Sequence, residues 1–233
     1  MPDKTILDVK NLSVDFDGEK IIDNLNFEVK EGETLIILGP NGAGKTVLLK
    51  TLLDLLPHKG VVKWANGAKI GYVPQGLPLS ALRELPLSVE EFFAFKKVGK
   101  NEAISAMASV GICDSAILKK RIGLLSSGQF QRILVGWGLI GNSDVLLFDE
   151  PTSGIDIGGE ETIYNLLDKL KKERNLTVFL VTHDLNIVYR EATKVLCLNK
   201  QKLCYGLPKE VLTPENLARL FGEDVGFYEH HHE

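Results

Sequence analysis

No apolar run in this 233-residue sequence reaches membrane-spanning length, which takes about 20 consecutive apolar residues. The opening Met1-Pro2-Asp3-Lys4 lacks the basic and apolar regions of a signal peptide, so the chain is expected to work in the cytosol. A basic excess is missing too. With 27 Lys and Arg against 31 Asp and Glu the formal net charge is −4, which excludes nucleic acid as an expected partner. The basic residues between Lys169 and Arg174 read as the solvated end of a helix. Cysteine is scarce: Cys113, Cys197 and Cys204 form no CxxC pair and no metal-ligand spacing. They are expected to be reduced and structural, although Cys197 and Cys204 would lie across a hairpin turning near Asn199-Lys200-Gln201, where a bridge is conceivable. There are no internal repeats and no low-complexity segments. What remains is 44% apolar, enough to build a core in one large domain or in a domain with a lobe.

One stretch organises the rest. Gly39-Pro40-Asn41-Gly42-Ala43-Gly44-Lys45-Thr46 follows the apolar run Leu35-Ile36-Ile37 and precedes the helix-like segment from Leu48 to Leu53, which reads as strand, phosphate loop, helix. A polyphosphate must be wrapped by closely spaced donors with no side chains in the way. Gly39, Gly42 and Gly44 allow that approach, and the N-terminus of the following helix adds N–H groups and partial positive charge. Lys45 would reach the outer phosphate oxygens, and the Thr46 hydroxyl is the type of hard oxygen that Mg²⁺ prefers.

Around this loop the pattern is that of an α/β chain. Ile6 to Phe16 and Ile21 to Lys30 alternate around Asp17-Gly18-Glu19, predicting an antiparallel pair. Phe16 at its tip is placed either to stack on a nucleotide base or to pack as core. Gly60 to Asn66 and Lys69 to Val73 read as further strands, the second ending at Pro74-Gln75. From Gly76 to Ile122 the pattern turns helical, with segments from Val89 to Phe95 and Asn101 to Val110. Leu85, Leu87, Phe92, Phe93 and Phe95 there serve either internal packing or a partner.

Leu125-Ser126-Ser127-Gly128-Gln129 comes next, before a helix expected near Phe130. Taken alone, Ser126 and Ser127 are good helix N-caps; small residues with hydroxyls at a helix start also suit an anion. Val145 to Phe148 is a buried strand ending in Asp149 and Glu150, a place where open α/β sheets hold ligands. A metal-holding acid and a base for water is the natural division of labour for two such carboxylates. Glu160 to Lys172 reads as a helix, and Thr177 to Val181 as a strand followed by His183, which is either structural or a part of the same crevice. Lys194 to Asn199 and Gln201 to Tyr205 form a closing hairpin, and Thr213-Pro214-Glu215 opens a last helix.

In this order, the phosphate loop, Gln75, Leu125 to Gln129, the strand ending Asp149-Glu150, the loop Ser153-Gly154-Ile155-Asp156 and His183 resemble the ATP-binding cassette (ABC) ATPase family across nearly the whole chain. The resemblance implies a P-loop NTPase core with an antiparallel β layer and an inserted helical subdomain. The core and β layer would span 1–75 and 140–233, and the helical signature subdomain 76–139. It implies ATP and Mg²⁺ as ligands, and an ATP-dependent head-to-tail homodimer in which each ATP lies between the phosphate loop of one subunit and the signature loop of the other. Phe16 would stack on adenine; the loop from Gly39 through Val47 would hold the phosphates, with Ser126, Ser127, Gly128 and Gln129 gripping from across the dimer. Thr46, Gln75 and Asp149 would hold Mg²⁺, Glu150 would polarise water, His183 would contact the γ-phosphate, and Asp156 would couple the two sites.

Three positions depart from the family pattern. Val47 stands where a hydroxyl residue commonly follows Thr46, Ser127 where glycine is usual, and Phe16 where tyrosine is common. The expected consequence is fewer contacts, not lost activity. A narrower resemblance is to the ATPases of zinc- and manganese-type metal importers. It rests on Ile70 to Gln75, Leu85 to Val89 with Phe92, Tyr205 to Pro208, Val211 to Glu215, and His230-His231-His232. Such a subunit works with a membrane permease and an extracellular substrate-binding protein, held on the inner face of the membrane. The alternatives are an importer ATPase for an iron chelate or vitamin, or a non-transport ABC ATPase such as a cofactor-assembly scaffold. The imidazoles and carboxylates from Glu229 to Glu233 suit a zinc sensor; a solvated terminus is the plainer reading.

Overall fold

A computed structural model describes residues 4–75, 85–150 and 157–222. The chain begins with two twelve-residue strands, β1 (Thr5–Phe16) and β2 (Glu19–Lys30). They are joined by Asp17 and Gly18, both in left-handed conformations with φ of 48° and 82°, as a two-residue hairpin turn requires. The pairing is interrupted by bulges. There Asn11 and Asn24 also take positive φ, and side chains replace the lost ladder bonds: the Asn11 N–H donates to Asn26 Oδ1 at 2.9 Å and the Asn24 N–H to Ser13 Oγ at 2.9 Å. β3 (Thr34–Leu38) is buried throughout and leads through the phosphate loop into α1 (Lys45–Leu52). β4 (Lys59–Trp64) and β5 (Ile70–Val73) follow.

The helical stretch contains α2 (Val89–Ala94), α3 (Lys100–Ser109) and α4 (Ser127–Gly138), with short 3-10 turns at Ser115–Lys119 and Ile122–Leu124. Then come β6 (Val145–Asp149), α5 (Ile157–Arg174) and β7 (Thr177–Thr182). The chain goes on through α6 (Leu185–Glu191), β8 (Lys194–Asn199), β9 (Gln201–Gly206), α7 (Pro208–Val211) and α8 (Pro214–Phe221). β3, β6 and β7 are continuous buried runs, as strands covered on both faces must be.

The chain divides into two compact units. In the first, made of residues up to Asn66 and from Phe179 on, the strands lie in the order β4, β1, β2, β9, β8, β3, β7. β1 pairs antiparallel with β2 and β4, and β3 pairs parallel with β8 in the register Leu35↔Lys194 to Leu38↔Cys197. Trp64 anchors this unit, its indole N–H donating to the Leu52 carbonyl at 2.8 Å and its ring meeting Phe179 edge-on at 5.6 Å. The second unit, Gly67 to Val178, pairs β5 with β6 in parallel, from Ile70↔Val145 to Val73↔Phe148.

In this second unit α4 is the central helix. It lies on β5 so closely that a Cβ on Gly71 would fall 2.0 Å from the Gly138 carbonyl oxygen, and a Cβ on Gly136 would sit 3.1 Å from the Ala106 carbonyl oxygen of α3. One sequence expectation changes here, and one open alternative is decided. Cys197 and Cys204 are joined as a disulfide and not left as separate thiols. The reason is register: they are direct partners in the β8–β9 hairpin, with Cα atoms 4.8 Å apart, inside the range a bridge needs. Phe92 and Phe93, candidates for a docking face, are core at 8% and 1% exposure; Phe95 and Leu85 are the exposed members.

Candidate functional site

In the first unit the phosphate loop takes its shape from glycine. Gly42 and Gly44 adopt φ of 78° and 94°, a left-handed region costly for other residues. Gly39 is needed for space, because a Cβ there would lie 2.1 Å from the Leu198 carbonyl oxygen in β8. The loop is closed by the Ala43 N–H donating to the Pro40 carbonyl at 3.2 Å, and tied to the β8–β9 turn by the Lys200 N–H donating to the Ala43 carbonyl at 3.1 Å. Asn41 and Gly42 are exposed at its crest, and a Cβ on Gly42 would meet nothing within 4 Å, so the backbone there is open to a ligand.

Lys45 and Thr46 form the first turn of α1, followed by half-buried Val47. Its first turn carries no acidic side chain, which preserves the positive end of the helix for an anion. The Lys45 ammonium, on a residue only 6% exposed, donates to the Gly39 and Pro40 carbonyls at 2.9 Å each. It is therefore held over the loop by the loop's own oxygens. Phe16 stands at the tip of the β1–β2 hairpin, exposed and paired with Glu19. His183 follows β7, which neighbours β3 in the strand order. It is exposed and set between Thr182 and Asp184, whose N–H donates to Thr182 Oγ1 at 3.1 Å.

In the second unit β5 and β6 bring three predicted residues to one strand end. The parallel register carries β5 on to Pro74-Gln75 and β6 to Asp149-Glu150, and Gln75 Nε2 donates to Glu150 Oε2 at 2.5 Å. Glu150 adopts φ of 48°, an uncommon conformation for a residue with a Cβ, and such backbone strain clusters at functional sites. Asp149 is almost completely buried, at 1% exposure. Sequence reasoning did not find its neighbour Tyr72. Tyr72 pairs with Leu147, so period-two alternation puts Tyr72, Leu147 and Asp149 on one face. Burial first, then the charge of Asp149, push the Tyr72 hydroxyl up to about 12. The alternation of β5 was the available signal for this contact.

The signature segment starts α4, three residues earlier than expected, because Ser126 and Gln129 form a capping box. The Gln129 N–H donates to Ser126 Oγ at 3.2 Å and the Ser126 N–H to Gln129 Oε1 at 3.1 Å. Ser126 Oγ accepts within this box, which leaves its own O–H able to donate outward. Ser127 is exposed beside it, and a Cβ on Gly128 would meet nothing within 4 Å. Asp156 and the histidines of the tail lie outside the described residues.

Each residue expected to hold a hard divalent cation carries an oxygen of the kind Mg²⁺ takes: in the first unit the Thr46 hydroxyl, and in the second the buried Asp149 carboxylate and the Gln75 amide oxygen. Among the described residues no group of three or more His, Cys, Asp or Glu is arranged to hold a metal by itself, and no helix is long and apolar enough to cross a membrane.

Residues 22–153 match the family model described as ABC transporter. The zinc import ATP-binding protein ZnuC of Photorhabdus laumondii is 34% identical over 235 residues, covering 98% of this chain and 90% of the relative. The ZnuC protein of Haemophilus influenzae is 36% identical over 233 residues, covering 97% and 85%. Among solved structures, an inward-facing ABC transporter described as of metal-chelate type aligns with TM-score 0.82 at 29% identity, over 94% of this chain and 89% of that one. The cbiO1 protein from Clostridium perfringens, part of the ABC transporter complex cbiONQ, aligns with TM-score 0.78 at 28% identity, over 93% and 94%.

Proposed function

Because the chain belongs to the ABC transporter family and is an ATP-binding ATPase of it, we propose that it is the motor of an importer for a divalent metal ion, zinc or manganese. The observation that carries this reading is identity of 34–36% along nearly the whole chain to zinc import ATP-binding proteins. In this reading the chain sits on the inner face of the membrane against a permease, and a substrate-binding protein delivers the ion outside. Two copies close head to tail on two ATP molecules.

The residues divide the work as their chemistry allows. Phe16 offers an aromatic face to adenine, and the N–H groups from Gly39 to Val47 wrap the phosphates. Lys45 exchanges the Gly39 and Pro40 carbonyls for phosphate oxygens, a stronger charge-assisted pairing. Thr46, Gln75 and Asp149 would hold Mg²⁺, which when bound neutralises charge on the phosphates. Glu150 accepts the proton of the attacking water, while Gln75, already hydrogen-bonded to it, orients that carboxylate. His183 contacts the γ-phosphate. The Ser126 hydroxyl, with Ser127, Gly128 and Gln129, donates to the γ-phosphate bound by the other copy, and Asp156 couples the two sites.

The test is transport. Reconstituted in vesicles with its permease and binding protein, the chain should drive ATP-dependent uptake of zinc or manganese, and Lys45→Ala should abolish both uptake and tight ATP binding. ATP hydrolysis coupled to uptake of an iron chelate or vitamin, with no metal-ion uptake, would overturn the cargo assignment.

A further inference from the structure

The β8–β9 hairpin of the first unit turns on a single residue. Asn199 pairs with Gln201, and Lys200 between them takes φ of 60°, a left-handed conformation uncommon for a residue with a Cβ. The base of the turn is closed by the Cys197–Cys204 disulfide, which makes it a fixed post. From there Lys200 reaches three other segments. Its N–H donates to the Ala43 carbonyl of the phosphate loop at 3.1 Å, and its carbonyl accepts from the Asp23 N–H of β2 at 2.9 Å. Its ammonium donates to Glu19 Oε1 at 2.7 Å, and that bond holds the Glu19 carboxyl below the usual carboxylate range. Glu19 is the direct partner of Phe16 across the β1–β2 tip. The tip lies beyond Asp23, where β2 pairs with β9 in the register Asp23↔Gln201, so the ion pair with Lys200 holds the tip past the reach of that pairing. One residue thus joins the hairpin that carries Phe16 to the loop that precedes Lys45.

We propose that Lys200 is a positioning residue for the nucleotide: through Glu19 it sets where the Phe16 ring stands relative to the phosphate loop, so that base and triphosphate are held as one ligand. The inference rests on the reading above in which Phe16 stacks on adenine, and it adds the part that fixes the spacing between the two subsites. Base and phosphates are joined through one ribose, so a tip displaced by about 1 Å gives up the stacking contact or pulls the phosphates out of place. The phosphate loop is already shaped by its glycines and its own hydrogen bond, which leaves the Lys200 ammonium to act on the base end. The two side chains are 54% and 65% exposed, and an ion pair so open to water changes affinity by about fivefold at most.

The experiment titrates the isolated chain with ATP and with inorganic tripolyphosphate, which carries phosphates without a base. Lys200→Gly suits the left-handed turn and keeps both backbone bonds, so it removes the ammonium alone. It should weaken ATP binding about two- to fivefold and leave tripolyphosphate at its wild-type affinity, with the loss in hydrolysis assays larger in KM than in kcat. Lys200→Arg should keep the wild-type preference for ATP. Glu19→Lys should weaken ATP in the same way, and combining it with Lys200→Glu should restore the affinity, which no general loosening of the fold could imitate. In a Phe16→Ala background Lys200→Gly should cost nothing further, because the ring that it places is gone. Equal weakening of ATP and tripolyphosphate by Lys200→Gly would make the residue a brace of the phosphate loop, and unchanged affinity for both would make the ion pair idle; either result overturns the proposal. A Phe16→Ala protein that kept the wild-type preference for ATP over tripolyphosphate would instead remove the stacking reading, and this proposal with it.

Discussion

Glu150 combines a left-handed backbone with a side chain anchored by Gln75 at 2.5 Å, so its carboxylate is aimed by two independent constraints. Glu150→Gln keeps the shape and removes the proton acceptor. We expect ATP binding to persist and hydrolysis to fall by about 10²–10⁴-fold; single-turnover assays showing near-normal hydrolysis would take the base role away from this residue. At this scale the phosphate loop was legible, because closely spaced donors have few sequence solutions and Gly39, Gly42 and Gly44 occur where they are needed. Cys197 and Cys204 were not, since their bonding depends on which residues of two strands stand opposite, and a hairpin's register cannot be read from its turn alone. Tyr72 escaped notice for a similar reason: its link to Asp149 exists only once β5 and β6 are paired.

Among the elements, α4 and β5 depend on backbone contact that only glycine permits. Gly71→Ala would drive a Cβ to 2.0 Å from the Gly138 carbonyl oxygen, a clash with backbone that cannot rotate away. Overpacking of this type costs about 1–3 kcal/mol, so the melting temperature should drop by several degrees. Gly128→Ala, in the same helix with nothing within 4 Å, should leave it unchanged; equal melting curves for the two variants would refute the contact. The sequence placed β3, β6 and β7 well because buried parallel strands are unbroken apolar runs. It missed α6, a seven-residue helix capped by Asp184, since so short a segment shows too little periodicity. The side of α2 that faces the core was also undecided, because Phe92, Phe93 and Phe95 are all apolar and only packing separates the buried pair from the exposed third.

For the whole molecule, the shared-site reading makes the γ-phosphate the adhesive between two copies. Size-exclusion chromatography of the Glu150→Gln protein should show a dimer with ATP and a monomer with ADP, and equal dimer with both nucleotides would count against it. The order of motifs along the chain made the family legible, whereas the partner and cargo depend on surfaces that no motif spells out. The glycine contact of α4 bears on how such a molecule moves. Helix α4 runs twelve residues from the capped serine end to Gly138, about 18 Å at 1.5 Å per residue. If the Gly138 contact with β5 served as a fulcrum, Ser126 would lie at the far end of a lever. In the shared-site reading, a tilt of about 5° would carry the Ser126 hydroxyl about 1.6 Å, enough to make or break a hydrogen bond, so a small change in this helix would decide whether that hydroxyl reaches the phosphate bound by the other copy.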